Sequence, residues 1–93
     1  MIDVKTNIIE TRKAYGNTYD IVETVTTITD SYGYCVKEYS YSVRVRILFS
    51  AHKTLRTYTD SVDMLEDNVH EKEIANYQKQ CAFELLDYIT KIL

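Results

Sequence analysis

Ninety-three residues, 45% hydrophobic and 27% charged, allow one domain around one core and exclude a disordered chain. The formal charge of −3 argues against a nucleic-acid binder without excluding a local basic stripe, and it is too weak for an acidic mimic of DNA. No apolar run approaches the roughly 20 residues that a membrane-spanning helix needs.

The two cysteines, Cys35 and Cys81, are too few for a disulfide framework, and free thiols suit a reducing cytosol. The opening MIDVKTNIIE has no basic segment followed by an apolar one, so no signal peptide is expected. With no Pro and two Gly, no linker or domain boundary is visible, and residues 1–93 read as a single domain. Nine Tyr and no Trp is a bias shared by many small proteins of viruses and mobile elements, which is an association rather than a mechanism.

Residues 2–15 read as a first strand, with Ile2, Val4 and Ile8 alternating on one face. Gly16-Asn17 then supplies a two-residue hairpin loop, since both types tolerate positive φ. Residues 18–30 form a second strand rich in Thr, Val and Ile. Asp30-Ser31-Tyr32-Gly33 is a type I turn, with Gly33 available for a left-handed position.

The strongest signal is YSYSVRVRILF, residues 39–49. Tyr39, Tyr41, Val43, Val45, Ile47 and Phe49 alternate with Ser40, Ser42, Arg44 and Arg46, so one face meets a core and the other meets solvent. Two turns fix a register. Across the first, Ala14 faces Tyr19, Arg12 faces Ile21 and Ile8 faces Val25. Across the second, Tyr19 faces Val45, Ile21 faces Val43 and Val25 faces Tyr39. The apolar sets of strands two and three then share a face, an agreement that a one-residue slip would destroy.

Residues 54–59 suggest a short fourth strand. Asp60 or Ser61 then caps a helical turn reaching Asn68, with Val62, Leu65 and Val69 on one side, and Asn68 with Glu71 resembles a capping box. Residues 69–93 have a helical period, with Ile74, Tyr77, Cys81, Leu85, Tyr88, Ile89 and Ile92 on one stripe. The expected fold is α+β, an antiparallel three- to four-stranded meander with a long C-terminal helix packed on one face.

No catalytic or ligand motif stands out, and no enzyme activity, cofactor or metal is expected. Glu10 and Glu23 come out opposite each other on the inward face. Such a pair would suit acid–base work, but a local bulge or neutralisation by Arg12 would dissolve it. His70-Glu71 begins a zinc-protease pattern, yet position 74 is Ile and the second ligand is missing. His52, His70, Cys35 and Cys81 lack metal-ligand spacing. Lys13, Arg44 and Arg46 on the hydroxyl-rich outer face are the basis of a nucleic-acid reading. Asp20 lies among them and no aromatic platform accompanies them, so a solvated face of cross-strand ion pairs is the plainer reading.

Two features point to a protein contact. A third strand beginning at Tyr34 would be roughly 50 Å long, against about 37 Å for the helix. The hairpin 26–37 would then extend past the helix as an arm bearing Ile28, Tyr32, Tyr34 and Val36. Phe83 also points away from the helical stripe. A loop folded over these side chains, or a strand that ends early, would remove the arm. The leading expectation is a cytosolic protein-binding module, a homodimer that modulates or inhibits a larger protein.

Overall fold

The computed structural model describes residues 1–47, 51–63 and 71–91. Four strands, β1 (Ile2–Ala14), β2 (Asn17–Thr29), β3 (Cys35–Arg46) and β4 (His52–Asp63), are followed by one helix, α1 (Glu71–Ile89). The strands pair antiparallel in the order β1-β2-β3-β4, and α1 packs on one face of the sheet, so the fold is the expected α+β meander.

The β2–β3 register is the one the turn residues dictate: Tyr19, Ile21 and Val25 lie opposite Val45, Val43 and Tyr39. The Asp30 side chain builds this turn. Its Oδ1 accepts from the backbone N–H of Tyr32 at 2.8 Å and of Tyr34 at 3.0 Å, while Gly33 adopts φ +84°. An Asx side chain that captures the next amides mimics backbone pairing and fixes the loop.

The first hairpin departs from expectation. Its loop is Tyr15-Gly16, with φ 56° and 79°, and Ala14 pairs with Asn17. Positive φ at both loop residues is the twist-matched hairpin geometry. A tyrosine rarely accepts it, and here the Tyr15 hydroxyl donates to the Lys91 carbonyl beyond the end of α1. A bulge between Ile8 and Glu10 then turns Ile9 toward the core and moves Ile2, Val4 and Ile8 to the opposite face. Ile8 therefore pairs with Val22, not Val25.

The core consists of Tyr19, Ile21, Tyr39, Tyr41, Val43, Ala82 and Leu86, flanked by Ile9, Val25, Val45, Ile74, Ala75, Phe83, Leu85 and Ile89. The buried stripe of α1 is thus centred on Ala75, Ala82 and Leu86. It is turned by about one residue step, ~100°, from the one expected. Tyr77 and Tyr88, placed on the expected stripe, are exposed. The physical reason is volume. Three tyrosines fill the sheet side of the core, so the helix approaches through its alanines. Tyrosines on the helix keep their polar ends in water at small cost.

β3 begins at Cys35 rather than Tyr34, and Ile47 lies beyond its end, exposed. β4 runs to Asp63, so residues 60–63 are strand and not the start of a helical turn. Leu48, Phe49, Leu65, the Asn68 cap, Val69, His70 and Ile92 lie outside the described residues. Leu86→Ala should lower stability by about 2–5 kcal/mol through lost burial and a cavity. Tyr77→Ala should change it by about 0.5 kcal/mol or less. Urea unfolding of the two variants checks which helical face is buried.

Candidate functional site

The helix-free face is divided along the strands. At the end near the Tyr15-Gly16 turn it is charged. Asp20 is fully buried beneath its neighbours, although no element among the described residues covers this face. Arg46 grips its carboxylate through Nε and a terminal nitrogen, both at 2.8 Å, and the Thr11 hydroxyl donates at 2.7 Å. Arg44 lies directly across from Asp20. The hydrogen bond from Arg46 is the main force holding the Asp20 carboxyl below its ordinary pKa. Burial opposes it, and Thr11 and Arg44 assist. Asp20 in turn raises the pKa of Arg46. Among the described residues, Arg44 Nε is buried without a hydrogen-bond partner. Lys13 sits one row away, opposite Thr18 on β2. One of the three cations proposed for a phosphate-contacting face is therefore already spent on Asp20.

The inward carboxylate pair does not form. The actual loop and the bulge put Glu10 opposite Ile21 and Glu23 opposite Asn7. Glu23 accepts from the Tyr41 hydroxyl at 2.7 Å. Burial first, and that carboxylate second, raise the Tyr41 pKa. Glu10 pairs with Arg12 at 3.4 Å. Arg12 also donates to Asp87 on α1, and its guanidinium stands 6.0 Å from the Phe83 ring centroid. Phe83 thus packs against the core and beneath a cation, rather than pointing away from the helix's buried stripe. This corrects its orientation. The α1 stripe is rotated toward it.

The other end of the helix-free face is apolar. Ile2, Ile28 and Val36 stand in one row across three strands. Val4 lies in the next row, and Ile8 beside Val22 lies further along, past the Thr6–Thr24 hydroxyl pair. Ile2, Val4, Ile8 and Ile28 are 68%, 56%, 53% and 45% exposed. Val36 is half-buried, and Val22 is buried without belonging to the core under the helix. Beyond the row, Tyr32 at the Asp30 turn is 94% exposed and Tyr34 37% exposed. The hairpin residues Ile28, Tyr32, Tyr34 and Val36 therefore lie together at one end of the sheet, with Phe83 apart from them on the other face.

Ile2, Val4 and Ile8 share one face as expected, but it is this surface, whereas the expected register set Ile8 opposite Val25. The signal was the doublet Ile8-Ile9, which breaks a period of two and marks an added residue. Cys35 and Cys81 are free thiols, Cys35 receiving a long contact of 3.8 Å from the Thr29 hydroxyl. No group of three or more His, Cys, Asp or Glu among the described residues is placed to hold a metal. No helix among them is long and apolar enough to cross a membrane. An open depression beside the first turn is lined by Gly16, Asn17, Thr18, Arg46 and Ile47. Its walls offer one cation, Arg46, and the Thr18 hydroxyl.

A scan against protein-family models matched none, and searches of curated proteins and of solved structures each found no significant match.

Asp20 is held ionised in the fold, so its stabilising effect is complete above the ordinary carboxyl pKa of about 3.9 and fades as pH falls through the lower folded value. Asp20→Asn should lower the melting temperature at pH 7. The gap to wild type should narrow as pH drops below about 4. A gap that stays constant with pH would show that the charge contributes nothing.

Proposed function

We propose that the chain is a small protein-binding module whose contact surface is the apolar half of the helix-free face, continued onto the Asp30–Tyr34 turn. The observation that carries this reading is the exposed row Ile2–Ile28–Val36 with Val4 beside it. Scattered exposed apolar residues are ordinary. A contiguous set across three strands, rimmed by threonines, is the composition of a surface that another protein covers. Tyr32 adds a large, nearly rigid contact group, and the Asp30 carboxylate orders its backbone before any partner arrives. On this reading the module acts by occupying a partner's surface, the mode of a modulator or an inhibitor. Its free thiols suit a reducing cytosol.

The nucleic-acid reading has less support, because Asp20 takes up the Arg46 guanidinium and draws on Arg44. What remains is Lys13 and a partly compensated Arg44, a small electrostatic footprint for phosphate binding.

Ile28→Ser with Tyr32→Ala tests the contact surface. Away from the core, the pair should cost about 0.5 kcal/mol per site or less in folding stability. Truncation at a true hot spot costs about 2 kcal/mol of binding or more, so capture of a protein partner from host lysate should fall by more than tenfold. Capture equal to wild type, in a variant that melts normally, would remove this surface from the proposal. Micromolar or tighter binding of nucleic acid at physiological salt, falling steeply as salt rises and lost in Arg44→Glu/Arg46→Glu, would replace it.

A further inference from the structure

We infer that the free edge of β1 pairs antiparallel with β1 of a second copy of this chain, about a two-fold axis through Val4, to form one continuous eight-stranded sheet. The inference rests on reading the chain as a protein-binding module and names one partner, the chain itself, for a surface distinct from the hairpin tip.

Four observations lead to it. First, β1 is an outer strand of 13 residues, and its first half is clear of the helix. Arg12 meets Asp87 and Phe83 of α1, and Tyr15 in the adjoining turn meets Lys91 beyond the helix, both at the far end. A neighbour docking beside residues 2–8 meets no helix.

Second, the backbone phase is fixed. Met1 and Thr29 exchange both hydrogen bonds, Met1 N to Thr29 O at 2.6 Å and Thr29 N to Met1 O at 2.9 Å. Bonded and non-bonded pairs alternate along an antiparallel ladder. Asp3, Lys5 and Asn7 therefore turn their backbone groups toward β2. Ile2, Val4, Thr6 and Ile8 direct theirs outward, to an edge with no strand beside it among the described residues.

Third, only one symmetric register satisfies the charges. A two-fold axis perpendicular to the sheet keeps both helices on one side and pairs residues of equal parity. Centred on Asp3 or on Lys5, it sets like charges directly opposite. Centred on Thr6, it leaves Asp3 against the bulge at Ile8–Glu10. Centred on Val4, it sets Asp3 against the partner's Lys5 and Lys5 against the partner's Asp3. These fall in non-hydrogen-bonded pairs, where side chains approach most closely. In the same register Val4 exchanges backbone hydrogen bonds with the partner's Val4, and Ile2 with the partner's Thr6.

Fourth, the two edges differ. The opposite edge strand, β4, carries Lys53 and Arg56 and no acid between residues 52 and 59. Cations of that kind keep an edge from pairing. On β1 the single lysine of the first half meets an aspartate in the Val4 register. The pairing also brings the Ile2 and Val4 side chains of both copies together on the helix-free face.

The test is the mass of the full chain by light scattering and its dissociation constant by sedimentation equilibrium. Wild type should approach twice the 10.9 kDa chain mass at high concentration. Lys5→Asp alone, or Asp3→Lys alone, places like charges across the axis and should weaken association about tenfold or more. The double swap Asp3→Lys/Lys5→Asp should restore it. Val4→Pro removes an outward N–H that the monomer does not use. It should leave the chain folded, as proline at an edge does, and abolish the dimer. A wild type that stays monomeric overturns the inference, as does a dimer indifferent to the single reversals, or a double swap that fails to rescue. Any of these leaves Ile28→Ser/Tyr32→Ala as the separate measure of the hairpin surface.

Discussion

A strand that contributes to a half-covered sheet must choose, residue by residue, which side chains face the helix. In β1 a single inserted residue makes that choice twice. From the first turn to Glu10 the strand sends Ala14, Arg12 and Glu10 toward the helix side, opposite Asn17, Tyr19 and Ile21. Past the bulge the parity inverts, and Asp3, Lys5 and Asn7 take that side. The inverted half lies where α1 does not reach, so polar residues there cost no buried charge. Ile9 enters the core, while Ile2, Val4 and Ile8 are left on the open face. The apolar surface and the limit of the strand's pairable edge follow from this one irregularity. The separation of Glu10 from Glu23 is already set by the Tyr15-Gly16 loop, which puts Glu10 opposite Ile21.

How much of this was legible depends on where a local rule decided the outcome. The β2–β3 pairing was, because Asp30 and Gly33 set the turn and both strands alternate cleanly. The meander and its helix followed from the same alternation. The β1–β2 turn was displaced by one residue because Tyr15, an unusual occupant of left-handed backbone, is held there by a contact with Lys91 that local sequence does not announce. The helical stripe was turned because a count of apolar residues weights tyrosine above alanine. Packing against Tyr19, Tyr39 and Tyr41 favoured the smaller residue. Of the residues proposed for a contact, Ile28, Tyr32, Tyr34 and Val36 share one end of the sheet through the β2–β3 pairing that the turn residues set. At 12 residues, β3 is shorter than the strand that suggested an arm. Phe83 was misplaced by the same rotation.

Asp20 shows a different balance. A buried carboxylate on a face that none of the described elements covers would be costly by itself. Arg46 and Thr11 hydrogen-bond it, and Arg44 stands across from it, so its burial is produced by long side chains lying over it rather than by a layer of structure. This cluster occupies the charged end of the sheet as the core occupies the helix side. Together they leave the row of Ile2 and Ile28 open at the end that bears the Asp30 turn, while Tyr15, Ile47, Tyr77 and Tyr88 are exposed singly elsewhere.

The alternating backbone phase of β1 has a kinetic counterpart. In a single copy, the amides of Ile2, Val4 and Thr6 point to water and exchange with solvent almost as fast as an unstructured chain. Those of Asp3, Lys5 and Asn7 are held by β2 and exchange only when the edge opens. The strand therefore carries a two-residue pattern of fast and slow hydrogens. The fast members of that pattern are the amides that a neighbouring strand would slow, so the exchange rates along these six residues register whether the edge is occupied.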